Sequence, residues 1–323
     1  MSGWLPTAPC TPDGCSTHHG APAGPLVAVG RLLAGITLVV AGVSLTPLVA
    51  LLSGATRDRL TRRWARTVLR CFGLRVSIRF AGEPEPGLRT GVLVVANHIS
   101  WLDIPLIAAV FPGRMLAKSE IRRWPVMGAM AARGGTLFVE RERLRALPGT
   151  VRTLAAALSA GSRVIVFPEA CTWCGRDHGR FTSAVFQSAL DAGTAVRPVR
   201  ITYRAADGRP SGAPSFVGDD TLPASLWRVV AAGGLTAEIT VLPLIPAGRH
   251  TDRRALAHAA RTAMVQGATA GAAAVRSTTA QDAEWLMAAQ TAVASDSANL
   301  PASSVHQCVN SIPAPASSAR TPS

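Results

Sequence analysis

Short apolar runs alternate with helix-like stretches from residue 91 to residue 203, and this alternation constrains the fold more than any other feature. The clearest runs are GVLVVA at 91–96, TLFVE at 136–140, VIVF at 164–167 and VRPVRITY at 196–203. The uninterrupted β-branched run at 91–96 is typical of a strand buried on both faces, and strands that alternate with helices build parallel sheets. We therefore predict an α/β fold, a layered sheet with helices on its faces.

An uncharged stretch of 21 residues, Leu32 to Leu52, precedes this region. It is long enough to cross a bilayer as one helix. Gly42 and Pro47 could instead break it into a hairpin of two short helices that dip into one leaflet. A buried helix of a soluble core is a third reading. We predict an N-terminal membrane-anchoring helix or helical hairpin.

The next segment is strongly basic. Leu60, Trp64 and Val68 recur every four residues and predict an amphipathic helix whose other face is cationic. Such a helix is expected to rest on an anionic membrane surface, with the domain that follows it on the cytoplasmic face of the cell membrane. Nucleic acid is not expected as a partner, because few aromatic residues lie among the cations. The cationic residues are Arg57, Arg59, Arg62, Arg63, Arg66 and Arg70.

Composition sets the domain limits. Residues 1–24 are rich in Pro, Gly, Ser and Thr and are predicted to be disordered, as is the Ala/Ser/Thr/Pro-rich tail at 267–323. Residues 25–72 would form the anchor and basic helix, and residues 73–266 the main domain, with its motifs at 91–203.

Six cysteines are scattered through a chain too large to need disulfides, which indicates a reducing compartment. Cys10 and Cys15 with the nearby histidines fit no standard zinc spacing, and Cys171-x-x-Cys174 has no second cysteine pair at a matching distance. We predict no metal site.

His98 follows the run at 91–96 directly, and Asp103 lies five residues later. A strand-to-helix turn near Ser100 would fold the carboxylate back onto the imidazole. A carboxylate on one ring nitrogen fixes the tautomer and leaves the other nitrogen to act as a general base. No G-x-S-x-G motif occurs, so the attacking hydroxyl would belong to the substrate. The alternative is that Asp103 only caps a helix and His98 is a satisfied polar residue.

Two more charged residues follow strand-like runs. Arg141 closes GGTLFVER and could fork onto a phosphate, or could pair with Glu140 or Glu142. Glu169 closes VIVFPE and could bind a substrate hydroxyl or order nearby arginines, or could be an acid at a helix amino end.

These blocks resemble a known family. NHISWLD at 97–103, AKSEIRRWPVMG at 117–128 with GGTLFVER at 134–141, FPEACTWCGRDHGRF at 167–181 and AVRPVRITY at 195–203 are similar to the four ordered blocks of the glycerolipid acyltransferases. The resemblance implies that His98 and Asp103 are the catalytic pair and that Arg141 and Glu169 bind the acceptor phosphate. Lys118, Asn97 and Thr172 are further expected substrate contacts, and Pro198 is expected to be structural.

The resemblance also implies a reaction. A fatty acyl group would move from acyl-CoA or acyl carrier protein, as co-substrate and with no other cofactor, to lysophosphatidic acid, giving phosphatidic acid. The acceptor could instead be another lyso-lipid, such as a lyso-ornithine lipid, or the chain could be a catalytically silent lipid-binding protein. One departure concerns the acceptor site: the family's third block reads Phe-Pro-Glu-Gly-Thr, whereas this chain has Ala170 and Cys171. If that glycine has positive φ, Ala170 would reshape the site.

Overall fold

A computed structural model of the chain describes residues 7–81, 91–123, 128, 131, 134–140 and 143–270. Over these residues the chain builds a seven-stranded sheet with the strand order β1-β7-β6-β2-β5-β3-β4. Helices cover both faces, so the predicted α/β layers are confirmed. The strands are β1 Arg75–Phe80, β2 Val92–Ala96, β3 Arg114–Lys118, β4 Leu137–Val139, β5 Arg163–Val166, β6 Ala195–Arg204 and β7 Thr236–Val241.

Strand direction divides the sheet into two parts. β2 pairs in parallel with both β5 and β6, and β3 pairs in parallel with β5 and β4. β7 is antiparallel to β6, and β1 is parallel to β7. Five carboxyl ends therefore meet at one edge of the sheet, where the catalytic groups of open α/β sheets gather.

Three helices, at 103–108, 147–159 and 184–191, fall between the apolar runs of residues 91–203, where helix-like stretches were predicted. The helix α7 (Leu222–Ala231) lies outside that region; Pro occupies its first turn, and the Thr221 side chain caps it by accepting from the Ala224 N–H. The short α1 falls in a segment predicted to be disordered. The helices are α1 Pro12–Cys15, α2 Pro25–Ala50, α3 Gly54–Cys71, α4 Asp103–Ala108, α5 Leu147–Ser159, α6 Ala184–Asp191, α7 Leu222–Ala231 and α8 Arg253–Ala270, with 3₁₀ turns at Ser119–Arg123 and Leu144–Ala146.

A separate hydrophobic core lies on each face of the sheet. Val94 of β2 packs into the core under α3, α4 and α7, whereas Leu93 and Val95 pack into the core under α5, α6 and α8. All three valine and leucine side chains are fully buried. This two-sided burial explains why β2 is apolar throughout instead of alternating.

The long apolar helix α2 continues through Pro47 without a break. The break that we considered at Gly42 and Pro47 is therefore wrong. Gly42 faces the Trp64 ring of α3, and a Cβ there would collide with it, so this glycine serves close helix packing. Trp64 Nε1 also donates to the Leu38 carbonyl at 3.0 Å, which ties the two helices together.

Residues 7–24 of the amino-terminal segment, for which disorder was predicted, contact the domain. Cys10 is 8% exposed, and the segment pairs its backbone with the domain. The N–H of Gly212 donates to Thr17 O at 2.9 Å, and that of Gly233 donates to Ala21 O at 2.9 Å. Polar composition did not reveal these pairings, since their partners lie about two hundred residues away in the chain. The prediction for residues 1–6 lies outside the described residues.

At the other end, α8 reaches Ala270, four residues past the predicted domain limit at 266. The predicted disordered tail lies outside the described residues from position 271 onward.

Candidate active site

The site occupies the edge at which β2, β5 and β6 end side by side. His98 follows β2, Glu169 follows β5, and Tyr203 lies near the end of β6. β2 lies between the other two strands and pairs with both of them. The topology thus brings together three functional groups that are far apart in the sequence.

The predicted pair of His98 and Asp103 forms. His98 Nδ1 lies 2.8 Å from Asp103 Oδ2. α4 begins at Asp103, after a tight turn that reverses the chain between the two side chains. The Asp103 side chain is fully buried, whereas that of His98 is 21% exposed. The carboxylate is thus an internal support, and the imidazole is the group that a substrate can reach.

Three more donors hold Asp103 in place. The backbone N–H groups of Ile99 and Ser100 donate to Oδ2 at 2.6 and 2.8 Å, and the Tyr203 hydroxyl donates to Oδ1 at 2.6 Å. Burial and the adjacent carboxylate raise the pKa of Tyr203 well above its usual range, so the hydroxyl stays protonated. The helix-capping role that we considered as an alternative is not present: the N-cap of α4 is Leu102 without a side-chain hydrogen bond, and Asp103 accepts from N–H groups of the turn before the helix.

Aromatic packing and a backbone contact fix His98 further. Its ring stacks on Phe167, with centroids 4.1 Å apart and planes 17° from parallel. Its carbonyl accepts from the Trp173 N–H at 2.8 Å. With Nδ1 held by a carboxylate, Nε2 is the nitrogen that can take a proton from an alcohol.

Glu169 does not face a substrate phosphate as predicted. Its side chain is fully buried. Oε2 accepts from the His98 N–H at 2.7 Å, and Oε1 accepts from the Gly179 N–H at 2.9 Å. Burial raises the pKa of Glu169 to about 7, against the lowering effect of the two N–H donors. The Glu169 carboxyl group therefore points into the protein and positions His98 through its backbone N–H. In this orientation it does not attract a substrate phosphate.

Two other predicted substrate contacts are structural. Asn97 is fully buried; its Nδ2 donates to the Ile201 carbonyl at 3.0 Å, and its Oδ1 accepts from the Ile201 N–H at 2.8 Å. It therefore joins the end of β2 to β6. The Thr172 hydroxyl donates to the Phe216 carbonyl and so ties the loop after β5 to a neighbouring segment. The pattern revealed both polar residues but not the direction in which they point.

Of the two cations predicted to bind substrate, Lys118 lies among the described residues and Arg141 does not. Lys118 is the last residue of β3 and is half-buried at the same edge of the sheet. The prediction for Arg141 lies outside the described residues.

Ala170 stands where the family's third block has glycine, and it adopts the positive-φ conformation that we considered for this position. Ala170 has φ +61°, and among the described residues it is the one non-glycine with positive φ. An L-residue with a Cβ is strained in this region by about 1 kcal/mol or more relative to glycine. This strain lies directly after Glu169, in the loop that supports His98.

Sequence reasoning missed Tyr203, Phe167 and Gly179. Tyr203 is the single tyrosine of the chain and is the last but one residue of β6, on the same inward face as Ile201 and Val199. A polar-tipped aromatic at an inward position is a usable signal, because a buried tyrosine hydroxyl needs a partner. The roles of the other two depend on three-dimensional proximity alone.

Comparisons with known proteins agree with this geometry. The family described as Acyltransferase matches residues 77–202. A 1-acyl-sn-glycerol-3-phosphate acyltransferase of Neisseria meningitidis is 38% identical over 201 residues, which are 62% of this chain and 77% of that protein. The chain belongs to the glycerolipid acyltransferase family. It is an O-acyltransferase, as the four motif blocks predicted.

Relatives in this family differ in the acceptor that their names state. A lyso-ornithine lipid O-acyltransferase of Pseudomonas aeruginosa is also 38% identical, over 69% of this chain and 80% of its own length. The crystal structure of the 1-acyl-sn-glycerophosphate acyltransferase from Thermotoga maritima superposes with a TM-score of 0.57. It is 20% identical and covers 77% of this chain and 96% of that one, which shows a shared fold.

Proposed function

We propose that this protein is a membrane-associated enzyme that transfers a fatty acyl group from a thioester donor to the free hydroxyl of lysophosphatidic acid, giving phosphatidic acid. The observation that carries the proposal is the hydrogen bond between His98 Nδ1 and Asp103 Oδ2, at 2.8 Å, on a partly exposed imidazole. Acyl transfer to an alcohol needs a base of this kind.

The order of proton transfers follows from the contact of Asp103 with Nδ1 of His98, which leaves Nε2 for the acceptor hydroxyl. The acceptor hydroxyl gives its proton to His98 Nε2 while its oxygen attacks the thioester carbonyl carbon. The carbon–sulfur bond then breaks, and the leaving thiolate takes the proton back from the imidazolium. Asp103 stabilises the transient imidazolium and keeps Nδ1 protonated in the resting state. The acyl donor is acyl-CoA or acyl carrier protein, and the steps are the same for both.

The surroundings of Asp103 suit this role. A carboxylate that accepts from two backbone N–H groups, a tyrosine and a histidine has its negative charge satisfied without water. It cannot swing away when the imidazole becomes charged. The site is therefore preorganised for a charge that appears only during the reaction.

The acceptor assignment depends on the relatives. Two relatives, from Neisseria meningitidis and Neisseria gonorrhoeae, are named for 1-acyl-sn-glycerol-3-phosphate, at 38% and 41% identity. Lysophosphatidic acid carries a phosphate, and Lys118 is a cation at the catalytic edge of the sheet. Lyso-ornithine lipid is the second candidate, because the relative from Pseudomonas aeruginosa, named for that acceptor, is equally similar.

A competition assay separates these acceptors. Purified full-length protein in detergent would receive one labelled acyl donor with equal amounts of lysophosphatidic acid and lyso-ornithine lipid, once with acyl-CoA and once with acyl carrier protein. We expect phosphatidic acid as the main product. Predominant acylation of the ornithine lipid would overturn the assignment of the acceptor, and no product from either would overturn the proposed reaction.

The same proposal includes contact with a membrane, for which α2 is the main support. It is the one helix among the described residues that is long and apolar enough to cross a bilayer. However, a stripe along it, Ala28, Gly35 and Val43, is buried against the domain. Arg31 also donates to the Val230 and Ala232 carbonyls, both at 3.0 Å. A helix docked over this length suits a position in one leaflet, with its free apolar side toward lipid.

That free side is continuous. Large apolar side chains are exposed from the first turn of α2 to the loop after it, and exposed apolar area on this scale marks a membrane or protein contact. Phe72, just after α3, packs edge-on against Trp101 in the catalytic turn, with ring centroids 5.3 Å apart. The helix pair thus reaches the catalytic edge, where a lyso-lipid would enter. The exposed residues include Leu26, Val27, Leu33, Ile36, Val40, Leu45, Leu48, Leu51 and Leu52.

The basic face of α3 contributes in part. Arg57, Arg59, Arg63 and Arg70 are exposed and face solvent, where anionic headgroups could reach them. Arg62 is engaged elsewhere, since its Nε donates to the Val110 carbonyl at 3.2 Å. Burial lowers the pKa of Arg62 and of Arg66, in keeping with positions turned toward the protein. The surface that meets lipid is therefore smaller than the six arginines of the sequence indicate.

Vesicle binding tests this arrangement. Changing Leu26, Leu33 and Leu48 together to serine should weaken binding of the full-length protein to phosphatidylglycerol vesicles by at least tenfold, because each loses apolar burial worth about 1.5 kcal/mol or more. Val265→Ser, on the opposite face of the domain, is the matched control. Equal binding by the triple variant and the control would remove α2 from the membrane contact.

A further inference from the structure

Three cysteines from distant parts of the chain meet beside the loop that follows β5. Their Sγ atoms all lie within 4.8 Å of one another. Cys10 precedes α1, Cys15 ends it, and Cys174 belongs to the loop after β5. This cluster of Cys10, Cys15 and Cys174, called the cysteine cluster below, takes no part in the acyl-transfer reaction described above.

The local structure directs the sulfurs toward each other. Thr11 caps the short turn by accepting from the Gly14 N–H at 3.3 Å, and the Cys15 N–H donates to Thr11 O at 3.0 Å. This turn places Cys10 and Cys15 on the same side. The Ser215 hydroxyl donates to the Cys174 carbonyl at 3.2 Å and so fixes the backbone of the third cysteine.

The cluster is enclosed and its sulfurs receive hydrogen bonds. Cys10 is 8% exposed and Cys174 is 9% exposed, and Val217 and Trp173 pack around them. Burial raises the pKa of the Cys10 thiol to about 12. Against the raising effect of burial, the backbone N–H groups of Arg176 and Asp177 lower the pKa of Cys174. N–H groups aimed at sulfur stabilise thiolates and are the usual second layer around metal-bound cysteines.

We propose that the cysteine cluster binds a zinc ion through three thiolates. Thiolates select zinc among the common divalent ions of cells, and the ion would displace the thiol protons to solvent. Sulfurs around tetrahedral zinc lie about 3.8 Å apart, as follows from zinc–sulfur bonds of about 2.3 Å. Small side-chain rotations would bring the cluster to that spacing. Among the described residues, the cysteine cluster supplies three of the four ligands of tetrahedral zinc.

The proposed site departs from our prediction that the chain has no metal site. Sequence spacing could not suggest it, because two of its cysteines lie more than 150 positions from the third. The Cys171-x-x-Cys174 pattern suggested a chelating pair, but Cys171 lies outside the cluster and its Sγ donates to the Glu169 carbonyl at 3.6 Å. Only Cys174 of the pair faces the amino-terminal segment.

The role of the ion would be structural. It would fasten the amino-terminal segment to the loop that carries Trp173, whose N–H holds the His98 carbonyl, and Gly179, whose N–H holds Glu169. Zinc at this position would therefore stabilise the support of the imidazole without touching the substrate.

Metal content and its dependence on each cysteine test the proposal. Full-length protein would be purified in detergent under reducing conditions without added chelator, and its zinc measured by mass spectrometry. We expect about one zinc per chain, as for other structural thiolate sites. Cys10→Ser and Cys174→Ser should lose most of it. Cys171→Ser, in the same loop, and Cys71→Ser, in α3, are matched controls that should keep it.

A second measurement on the unaltered protein covers the case in which the serine variants do not fold. Removing zinc with a chelator should speed hydrogen exchange at residues 7–24, and restoring zinc should slow it again. Cobalt added to the apo protein should give the near-ultraviolet sulfur-to-cobalt absorption of thiolate ligands. Each of three results would overturn the proposal: zinc content near zero with no cobalt spectrum, zinc content unchanged in Cys10→Ser and Cys174→Ser, or a disulfide within the cluster of the protein as purified.

Discussion

The ends of β2 and β5 lie side by side in the sheet, and the chain turns their polar residues in opposite directions. After β2, His98 remains partly exposed, and the buried Asp103 supports it. After β5, the Glu169 side chain is fully buried and accepts from the backbone of His98 and Gly179. Each segment follows a short apolar strand and contains an acidic residue. The segment after β2 presents the reactive imidazole, whereas the segment after β5 holds that imidazole in place.

The difference shows that a carboxylate at the catalytic edge can act through another residue. Asp103 acts on the side chain of His98, and Glu169 acts on its backbone. Changes at the β2 end should therefore affect turnover most, and changes at the β5 end should affect stability and its pH dependence. The following predictions test this division, starting with the largest effect.

Asp103→Asn should lower turnover by about 10² to 10⁴, with a small change in the apparent KM for the acceptor. The asparagine amide cannot accept from every donor around it, and it does not stabilise the imidazolium. Steady-state kinetics with varied lysophosphatidic acid measures both constants. A rise in KM with unchanged turnover would show that Asp103 acts on acceptor binding, which would break the distinction drawn here.

Glu169→Gln should change how stability depends on pH. The folded protein holds the Glu169 proton more tightly than the unfolded chain, because the pKa rises from 4.5 to about 7. Stability from this group is fully present below pH 4.5 and is lost as pH rises through about 7. The wild type should therefore lose about 3 kcal/mol relative to the glutamine variant over this interval.

Denaturant unfolding of both proteins in detergent, at pH values from 4.5 to 8, measures that difference. Parallel curves for the two proteins would mean that Glu169 is not held in the protonated form by burial. The comparison between the two strand ends would then lose its electrostatic basis.

Tyr203→Phe removes the hydroxyl that donates to Asp103 Oδ1 at 2.6 Å and leaves the ring in place. A hydrogen bond to a charged group contributes roughly 2 kcal/mol, so we expect a loss of that order in unfolding free energy and about a tenfold loss in turnover. Thermal unfolding and initial rates measure these effects. If both stay at the wild-type value, the tyrosine does not help to position Asp103.

Ala170→Gly should stabilise the protein by about 1 kcal/mol, because Ala170 has φ +61°. Ala192→Gly is the matched control: Ala192 has φ −87°, so glycine gains nothing there and should destabilise. Denaturant midpoints of the two variants give the comparison. Destabilisation by both substitutions would mean that the loop after β5 is not strained at this residue.

Much of the fold could be predicted from sequence because its signals are local. The apolar run at 91–96 and the alternating run at 196–203 specify strands through side-chain periodicity, and the structure has β2 and β6 there. Order at residues 7–24 could not be predicted in this way. It depends on backbone pairing with residues near 212 and 233, which leaves no periodic trace in a segment rich in Pro, Gly and Ser.

The same distinction between local signals and contacts with distant residues applies to the active site. The spacing of His98 and Asp103 was informative because one turn joins them, so local geometry nearly determines the contact. The orientations of Asn97 and Glu169 depend on β6 and on the loop at Gly179, which are distant in sequence. A polar residue after a strand indicates the catalytic edge, but only its neighbours decide whether it faces substrate or protein.

The most direct test of the central claim is acyl transfer by His98→Ala. Purified full-length protein would be given acyl-CoA or acyl carrier protein as donor, and lysophosphatidic acid or lyso-ornithine lipid as acceptor. His258→Ala, on the exposed side of α8, serves as the matched control. We predict that His98→Ala retains the unfolding midpoint within a few degrees but loses about 10² to 10⁴ in turnover with every donor and acceptor that the wild type uses. Transfer by folded His98→Ala at the rate of the control would contradict the assignment of His98 as the base.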